Sequence, residues 1–195
     1  QLAAMTRRTW PMVGRAPLVR SIATLLEDGS NVVVTGKAGM GKTTLANAVA
    51  KDYHGLCQRI VATPAAAPLP LAAITSLVGQ AVGRDALLAA RSTLGLSTIS
   101  VDAHARPPRV PPLLVVDDVN ALDEASATVL HQLLAGGECR LLATMRRGAP
   151  VSQAVDRLRR TLDTVEIEAP PLPDDAIVSM VELALGGTLT ERART

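Results

Sequence analysis

The sequence predicts a three-layer α/β fold, a parallel sheet covered by helices on both faces. Three observations predict it. Short aliphatic or β-branched runs recur along the chain, as strands buried on both faces do. Helical periodicities separate these runs, and right-handed crossovers then lay helices on both sides of a sheet. The 195 residues fit one domain, which would bury about 70% of the surface its unfolded chain exposes.

The elements follow in chain order. Residues 15–28 put Leu18, Ile22, Leu25 and Leu26 on one helical face, and Gly29 stops the helix. NVVVTG at 31–36 is the first strand. A helix over 43–53 spaces Leu45, Ala48, Val49 and Asp52 by three and four. RIVAT at 59–63 is a second strand, followed by helical patterns near 70–82 and 85–94 and a proline-rich loop over 97–112. LLVVDDV at 113–119 is the strongest strand, and Asp123 can cap a helix carrying Val129, Leu130, Leu133 and Leu134. RLLAT at 140–144, a basic loop MRRG, a helix at 151–161, a strand at 164–168 and a helix at 174–185 complete the alternation.

Composition excludes several classes. With no Phe, one Trp and one Tyr, the chain has no set of aromatic faces on which single-stranded nucleic acid could stack. Its net charge of +2, from 17 Arg and 3 Lys against 18 acids, is too balanced for a protein devoted to phosphate backbones. Cys57 and Cys139 lie far apart and the three histidines are scattered, so neither a disulfide framework nor a zinc site is expected, and a reducing, cytoplasmic setting is. The uncharged stretch from Ile60 to Gly83 is broken by Pro64, Pro68 and Pro70, which favours a buried loop and helix over a membrane span. The opening residues carry no apolar run behind Arg7 and Arg8 and do not resemble a leader; Gln1 suggests a piece of a longer chain.

Residues 36–43, GKAGMGKT, match G-x-x-x-x-G-K-[ST] between an expected strand and an expected helix. Gly36, Gly39 and Gly41 let the backbone curl so that amides converge on one anion, and the helix beginning at Lys42 adds its positive end. Lys42 can reach β- and γ-phosphates as a point charge, and the Thr43 hydroxyl can ligate magnesium. These residues point to a phosphate-binding P-loop.

Asp117 and Asp118 close the strand LLVVDD, at the edge where open α/β sheets bind ligands. Two adjacent carboxylates repel unless a cation or proton relieves them. As successive strand residues they would point to opposite sides, which gives them separate roles. Asp117 is the candidate for a magnesium-bound water and Asp118 for activating the attacking water; helix capping is the alternative for both. Thr144 and Arg146 follow the fourth strand. If it neighbours the P-loop strand, the guanidinium can meet a γ-phosphate; a solvated basic loop is the alternative.

Together these motifs resemble the signalling NTPases of the STAND class, within the AAA-like P-loop proteins, and most of all the ATPase domain of large LuxR-type bacterial transcription regulators. WPMVGRAPLVRSIATLL at 10–26 is similar to that family's first box, VVVTGKAGMGKTTLANAVA to its nucleotide loop, LLVVDDVNALDEASATVLHQLL to its second box, RLLATMRRG to its sensor and ELALGG to its lid helix. The resemblance implies a five-stranded parallel sheet of order 5-1-4-3-2. It implies that Val13, Gly14 and Arg15 line the adenine and ribose, that residues 36–44 (Gly36, Ala38, Gly39, Met40, Gly41, Lys42, Thr43 and Thr44 among them) take the phosphates, that Thr43 and Asp117 serve the metal, and that Arg146 senses the γ-phosphate. ATP and Mg2+ are the implied cofactors, with ATP switching a closed resting state to an open signalling one.

The whole chain, 1–195, then reads as one NTPase core: first box and helix at 10–28, sheet and helices at 31–170, and the start of a truncated lid helix at 171–195. Two departures stand out. Asn120 stands where the family's second box usually has a histidine, and the lid and winged-helix elements with a second phosphate sensor have no counterpart before Thr195. Expected partners are ATP or ADP and the lid, winged-helix and helix-turn-helix domains of a longer regulator, with no membrane and no direct nucleic-acid contact by this part. The leading expectation is a signalling module with slow magnesium-dependent ATP hydrolysis. The alternatives are a nucleotide switch without turnover, a P-loop kinase, or an oligomeric AAA-type motor with a finger among Arg157, Arg159 and Arg160.

Overall fold

The computed structural model describes residues 14–96, 110–160 and 163–185. Val13 and the rest of the 10–13 segment, most of the proline-rich loop, and residues 186–195 lie outside them.

Helix α1 (Ala16–Glu27) begins with Pro17 in its first turn, where a missing N–H costs nothing, and buries Ile22 and Leu26. Strand β1 (Asn31–Gly36) and helix α2 (Lys42–Lys51) flank the P-loop. Strand β2 (Cys57–Val61) begins and ends two residues earlier than its sequence suggests. A 3-10 turn (Ala72–Ile74), helix α3 (Thr75–Val78) and helix α4 (Arg84–Thr93) lead towards β3 (Leu113–Asp117). A second 3-10 turn (Val119–Ala121) precedes α5 (Glu124–Ala135), and β4 (Arg140–Arg146), α6 (Gln153–Arg160), β5 (Thr164–Glu168) and α7 (Asp174–Leu185) follow.

The five strands pair in parallel in the order β2-β3-β4-β1-β5, which read from the opposite edge is 5-1-4-3-2. Alternation along the inner strands builds the two outer layers. Val33 of β1, Leu114 and Val116 of β3, and Leu141, Ala143 and Met145 of β4 enter one core with residues of α3 to α6. Val32 and Val34, Leu113 and Val115, and Leu142 enter the other with Ile22 and Leu26 of α1 and Leu45, Ala46 and Val49 of α2. Each such Val, Leu, Ile or Met side chain, taken wholly from water, contributes about 1.5–3 kcal/mol, so a one-residue slip of any inner strand is strongly disfavoured.

The uncharged 60–83 stretch differs from its expectation. Ile60, Ala62, Ile74, Leu77 and Val78 are buried, but Pro64, Pro68, Leu69 and Pro70 are exposed. Lack of charge is not burial: Ala and Pro sit at surfaces freely. Among the described residues, no helix is long and apolar enough to cross a membrane.

The sheet order sets the site. β3, β4 and β1 are neighbours, so their carboxyl ends, at Asp117, Arg146 and Gly36, lie side by side. Ligands in open α/β sheets bind at this edge.

Candidate functional site

A cleft of about 320 Å3 opens there, lined by Ala38, Gly39, Gly41, Lys42, Thr43, Thr44, Asp118 and Arg146. Gly39 and Gly41 have φ of +79° and +71°, and no atom lies within 4 Å of where a Cβ would stand. Glycine is therefore required by backbone handedness and not by crowding. Gly41 caps α2, and the first intrahelical bond runs from the Leu45 amide to the Gly41 carbonyl at 2.9 Å. The amides of Lys42, Thr43 and Thr44 thus have no partner four residues back, the condition that suits a helix start to anions. Gly36 and Met40 shape the loop without lining the cleft: a Cβ on Gly36 would lie 3.6 Å from the Lys42 Cδ.

Lys42 is 7% exposed, and its Nζ donates to the Lys37 carbonyl at 2.8 Å. Burial pushes the ammonium below its ordinary value; Asp118 and Asp117 counteract this and Arg146 reinforces it. The Lys37 side chain is exposed, but its main chain holds the lysine that matters. An incoming phosphate would replace one neutral carbonyl by an anion.

The Thr43 hydroxyl meets both Asp117 oxygens, at 2.9 and 3.0 Å. From the other side, the buried Thr144 hydroxyl donates to Asp117 Oδ1 at 2.5 Å and accepts from the Asp118 amide at 2.9 Å. Among the described residues no group of three or more His, Cys, Asp or Glu could hold a metal ion. A threonine hydroxyl beside one carboxylate is still the hard-oxygen set that fits Mg2+ arriving with phosphates, and it is too small a set to hold the ion without them.

Asp118 departs from the strand reading. β3 ends at Asp117, and Asp118 takes a left-handed backbone, φ +54° and ψ +54°. The two carboxylates are consequently not on opposite faces of one strand: Asp117 meets Thr43, and Asp118 turns into the same cleft, 3.6 Å from the Arg146 guanidinium. Arg146 itself belongs to β4, not to a basic loop. Its amide donates to Asn120 Oδ1 at 3.2 Å, a contact not anticipated from sequence. A polar residue amid VNAL, just after the paired acids, was the available clue.

Gly14 and Arg15 do not line this cleft. Gly14, at φ +75°, backs onto α7, where a Cβ would come within 3.2 Å of the Ala176 Cβ. Arg15 is 6% exposed; its Nη2 donates to the Pro170 carbonyl at 2.8 Å, while Nη1 is buried with no hydrogen-bond partner. Burial lowers the Arg15 pKa from its ordinary value. Both residues therefore sit against the link from β5 to α7. On α6, Arg159 pairs with Asp156 and Glu166, and Arg160 with Asp156, so both arginines are engaged within the chain.

Comparison with known proteins agrees with this architecture. The Orc1 protein of Aeropyrum pernix, solved in complex with DNA, superposes with a TM-score of 0.67 at 15% identity, over 93% of this chain and 52% of that one. The RuvB Holliday junction branch migration motor of Thermotoga maritima superposes with a TM-score of 0.55 at 18% identity, over 89% and 53%. The chain thus spans about half the length of these solved structures, and at such identities the likeness concerns the fold alone. No curated protein matches the chain. A sequence model described as the AAA ATPase domain matches residues 11–145, from the segment before α1 to the penultimate residue of β4. That span takes in the P-loop, both acids and Thr144, and it shows that the chain belongs to the AAA ATPase domain family.

Proposed function

We propose that the chain is an ATP-binding signalling module with slow, magnesium-dependent hydrolysis, the nucleotide-binding part of a STAND-class, LuxR-type transcription regulator. The observation that carries the nucleotide reading is the convergence of Lys42, Thr43, Asp117, Asp118, Thr144 and Arg146 at three adjacent strand ends. The regulator context rests on the sequence boxes at 10–26, 32–50, 113–134 and 140–148.

In this reading the residues exchange internal partners for ligand ones. Lys42 leaves the Lys37 carbonyl for the β- and γ-phosphates. With Thr43 freed from Asp117, these two side chains would hold Mg2+, Thr43 by its hydroxyl and Asp117 through a water. Bound Mg2+ supplies charge neutralisation at the phosphates. Arg146 moves from Asp118 to the γ-phosphate, which frees Asp118 to accept a proton from the attacking water. Val13, Gly14 and Arg15 are assigned to the base and ribose by the resemblance of the 10–26 box. DNA is read by another domain of the longer protein, in keeping with the near-neutral charge of this one.

A second reading, a switch without turnover, is favoured by the Asp118–Arg146 pair, 3.6 Å apart, because the guanidinium occupies the carboxylate that would have to meet the attacking water. Two measurements test these readings. Lys42→Ala should weaken MgATP binding at least about tenfold in titration calorimetry with the fold retained, as loss of a charge-assisted contact implies; unchanged affinity refutes the site. Phosphate release under saturating ATP should fall in Asp118→Asn. Equal rates remove the catalytic role of Asp118 and leave the switch.

A further inference from the structure

We infer that Asn120 is a positioning residue for Arg146, fixing the main chain from which the guanidinium reads the nucleotide's terminal phosphate. The inference rests on the nucleotide reading above and adds a residue to it.

Strands β3 and β4 end unequally. They are in register as far as Val116 and Ala143. β3 then stops at Asp117 and turns away through left-handed Asp118, whereas β4 runs on to Arg146. On its other side β4 remains paired: Gly36 of β1 is in register with Arg146, and the Arg147 amide donates to the Gly36 carbonyl at 3.2 Å. The last three residues of β4 have therefore lost their strand neighbour on one side only. An unpaired strand end frays into solvent.

Two side chains replace the missing strand. The Thr144 hydroxyl takes the Asp118 amide at 2.9 Å, and Asn120 Oδ1 takes the Arg146 amide at 3.2 Å. The second bond spans 26 residues of chain and joins the turn after the acids to the residue that bears the guanidinium. The turn is itself firm. The Ala121 amide bonds to the Asp118 carbonyl at 2.8 Å and the Leu122 amide to the Val119 carbonyl at 3.1 Å, and Val119 and Ala121 are buried on either side of Asn120. Asn120 does not line the cleft, so it can act on a nucleotide only through Arg146. A carboxamide suits this position because its oxygen accepts the amide without adding a charge that would compete with Asp118 for the guanidinium.

Titration calorimetry of the chain with MgATP and with MgADP tests this, the readout being the ratio of the two affinities. Asn120→Leu, of similar volume but with no acceptor, should lower the preference for ATP by about three- to tenfold, the worth of one hydrogen bond. Asn120→Gln, which keeps a neutral acceptor oxygen, should hold the ratio to within about twofold of the parent's. Arg146→Ala should lower it at least as much, and Asn120→Leu added to Arg146→Ala should lower it no further, because both act through one guanidinium. Should the leucine variant not fold, Asn120→Ala takes its place. A ratio unmoved by Asn120→Leu, or falling further in the double variant, overturns the inference while leaving the nucleotide site standing. A ratio unmoved by Arg146→Ala overturns it too, since nothing is then left to position. Failure of Lys42→Ala to weaken binding at all is a different result, which removes the site itself.

Discussion

Replacing Asp123 by alanine should cost the domain about 3–4 kcal/mol, far more than replacing it by asparagine. Asp123 is buried at the start of α5 and gathers four donors: the Ser126 and Leu71 amides on Oδ1, both at 2.8 Å, and the Ser126 hydroxyl at 2.6 Å and Ala73 amide at 3.4 Å on Oδ2. Alanine loses the helix cap, about 1 kcal/mol. It also strands the Leu71 amide and the wholly buried Ser126 hydroxyl, at about 1–1.5 kcal/mol each. The 3.4 Å contact adds little. Asparagine can keep its oxygen in the Oδ1 position, retain the two short amide bonds, and let the Ser126 hydroxyl reverse to accept; its cost should stay near about 1 kcal/mol.

Urea unfolding measures both. With m of about 2 kcal/mol/M, alanine should move the midpoint down by about 1.5–2 M and asparagine by about 0.5 M, with m unchanged. Equal shifts for the two variants, or an alanine shift below about 0.5 M, would refute the account of Asp123 as the acceptor that joins α5 to the turn before α3. Acid gives a second check. Burial by itself raises the Asp123 pKa, but the bonds from Ser126, Leu71 and Ala73 outweigh it and hold the carboxyl below its ordinary value. Its contribution is therefore complete above the ordinary carboxylate range and fades as pH falls through the folded value. The gap between parent and alanine variant should be constant from about pH 5 to 8 and narrow below about pH 4.

Two further predictions concern other buried groups. Thr144→Val keeps the shape but leaves the Asp118 amide without its acceptor, so urea unfolding should show a loss of about 1–3 kcal/mol; a loss under about 0.5 kcal/mol would mean that this bond is not made in solution. Cys139 is buried and its thiol is pushed up to about 12 by burial and by Glu138, partly offset by Arg140, whereas Cys57 is exposed. A disulfide reagent should thus titrate one thiol in the native protein and two after unfolding, and two thiols reacting at one native rate would contradict the placement of Cys139.

How far the sequence discloses this protein depends on what each part is recognised by. Strands β1 and β5 are legible to the residue because apolar or β-branched runs there end at a glycine and at a proline pair. The P-loop is legible because its spacing is local. β2 is blurred because its first residues, Cys57 and Gln58, carry neither an apolar nor a β-branched pattern, so no apolar run marks its start. The left-handed turn at Asp118 is hidden for the opposite reason. Val119 prolongs the apolar run on paper, yet it reaches the core through a 3-10 turn and not as part of the strand. The contacts that complete the site, Thr43 with Asp117 and Asn120 with Arg146, join residues 74 and 26 positions apart, and no local pattern encodes them.

The left-handed backbone at Asp118 also limits which residues can occupy the position. Only glycine and short polar side chains enter that region at small cost. Glutamate carries the same charge with more reach, but the turn disfavours it, so the acid's length is set by the backbone before chemistry has a say. Aspartate, asparagine and glycine remain as exchangeable states. Under the proposed role these correspond to a working base, an uncharged mimic and no side chain at all. A lineage carrying this turn can therefore pass between a hydrolysing module and a purely binding one by one substitution, with the sheet and the P-loop undisturbed.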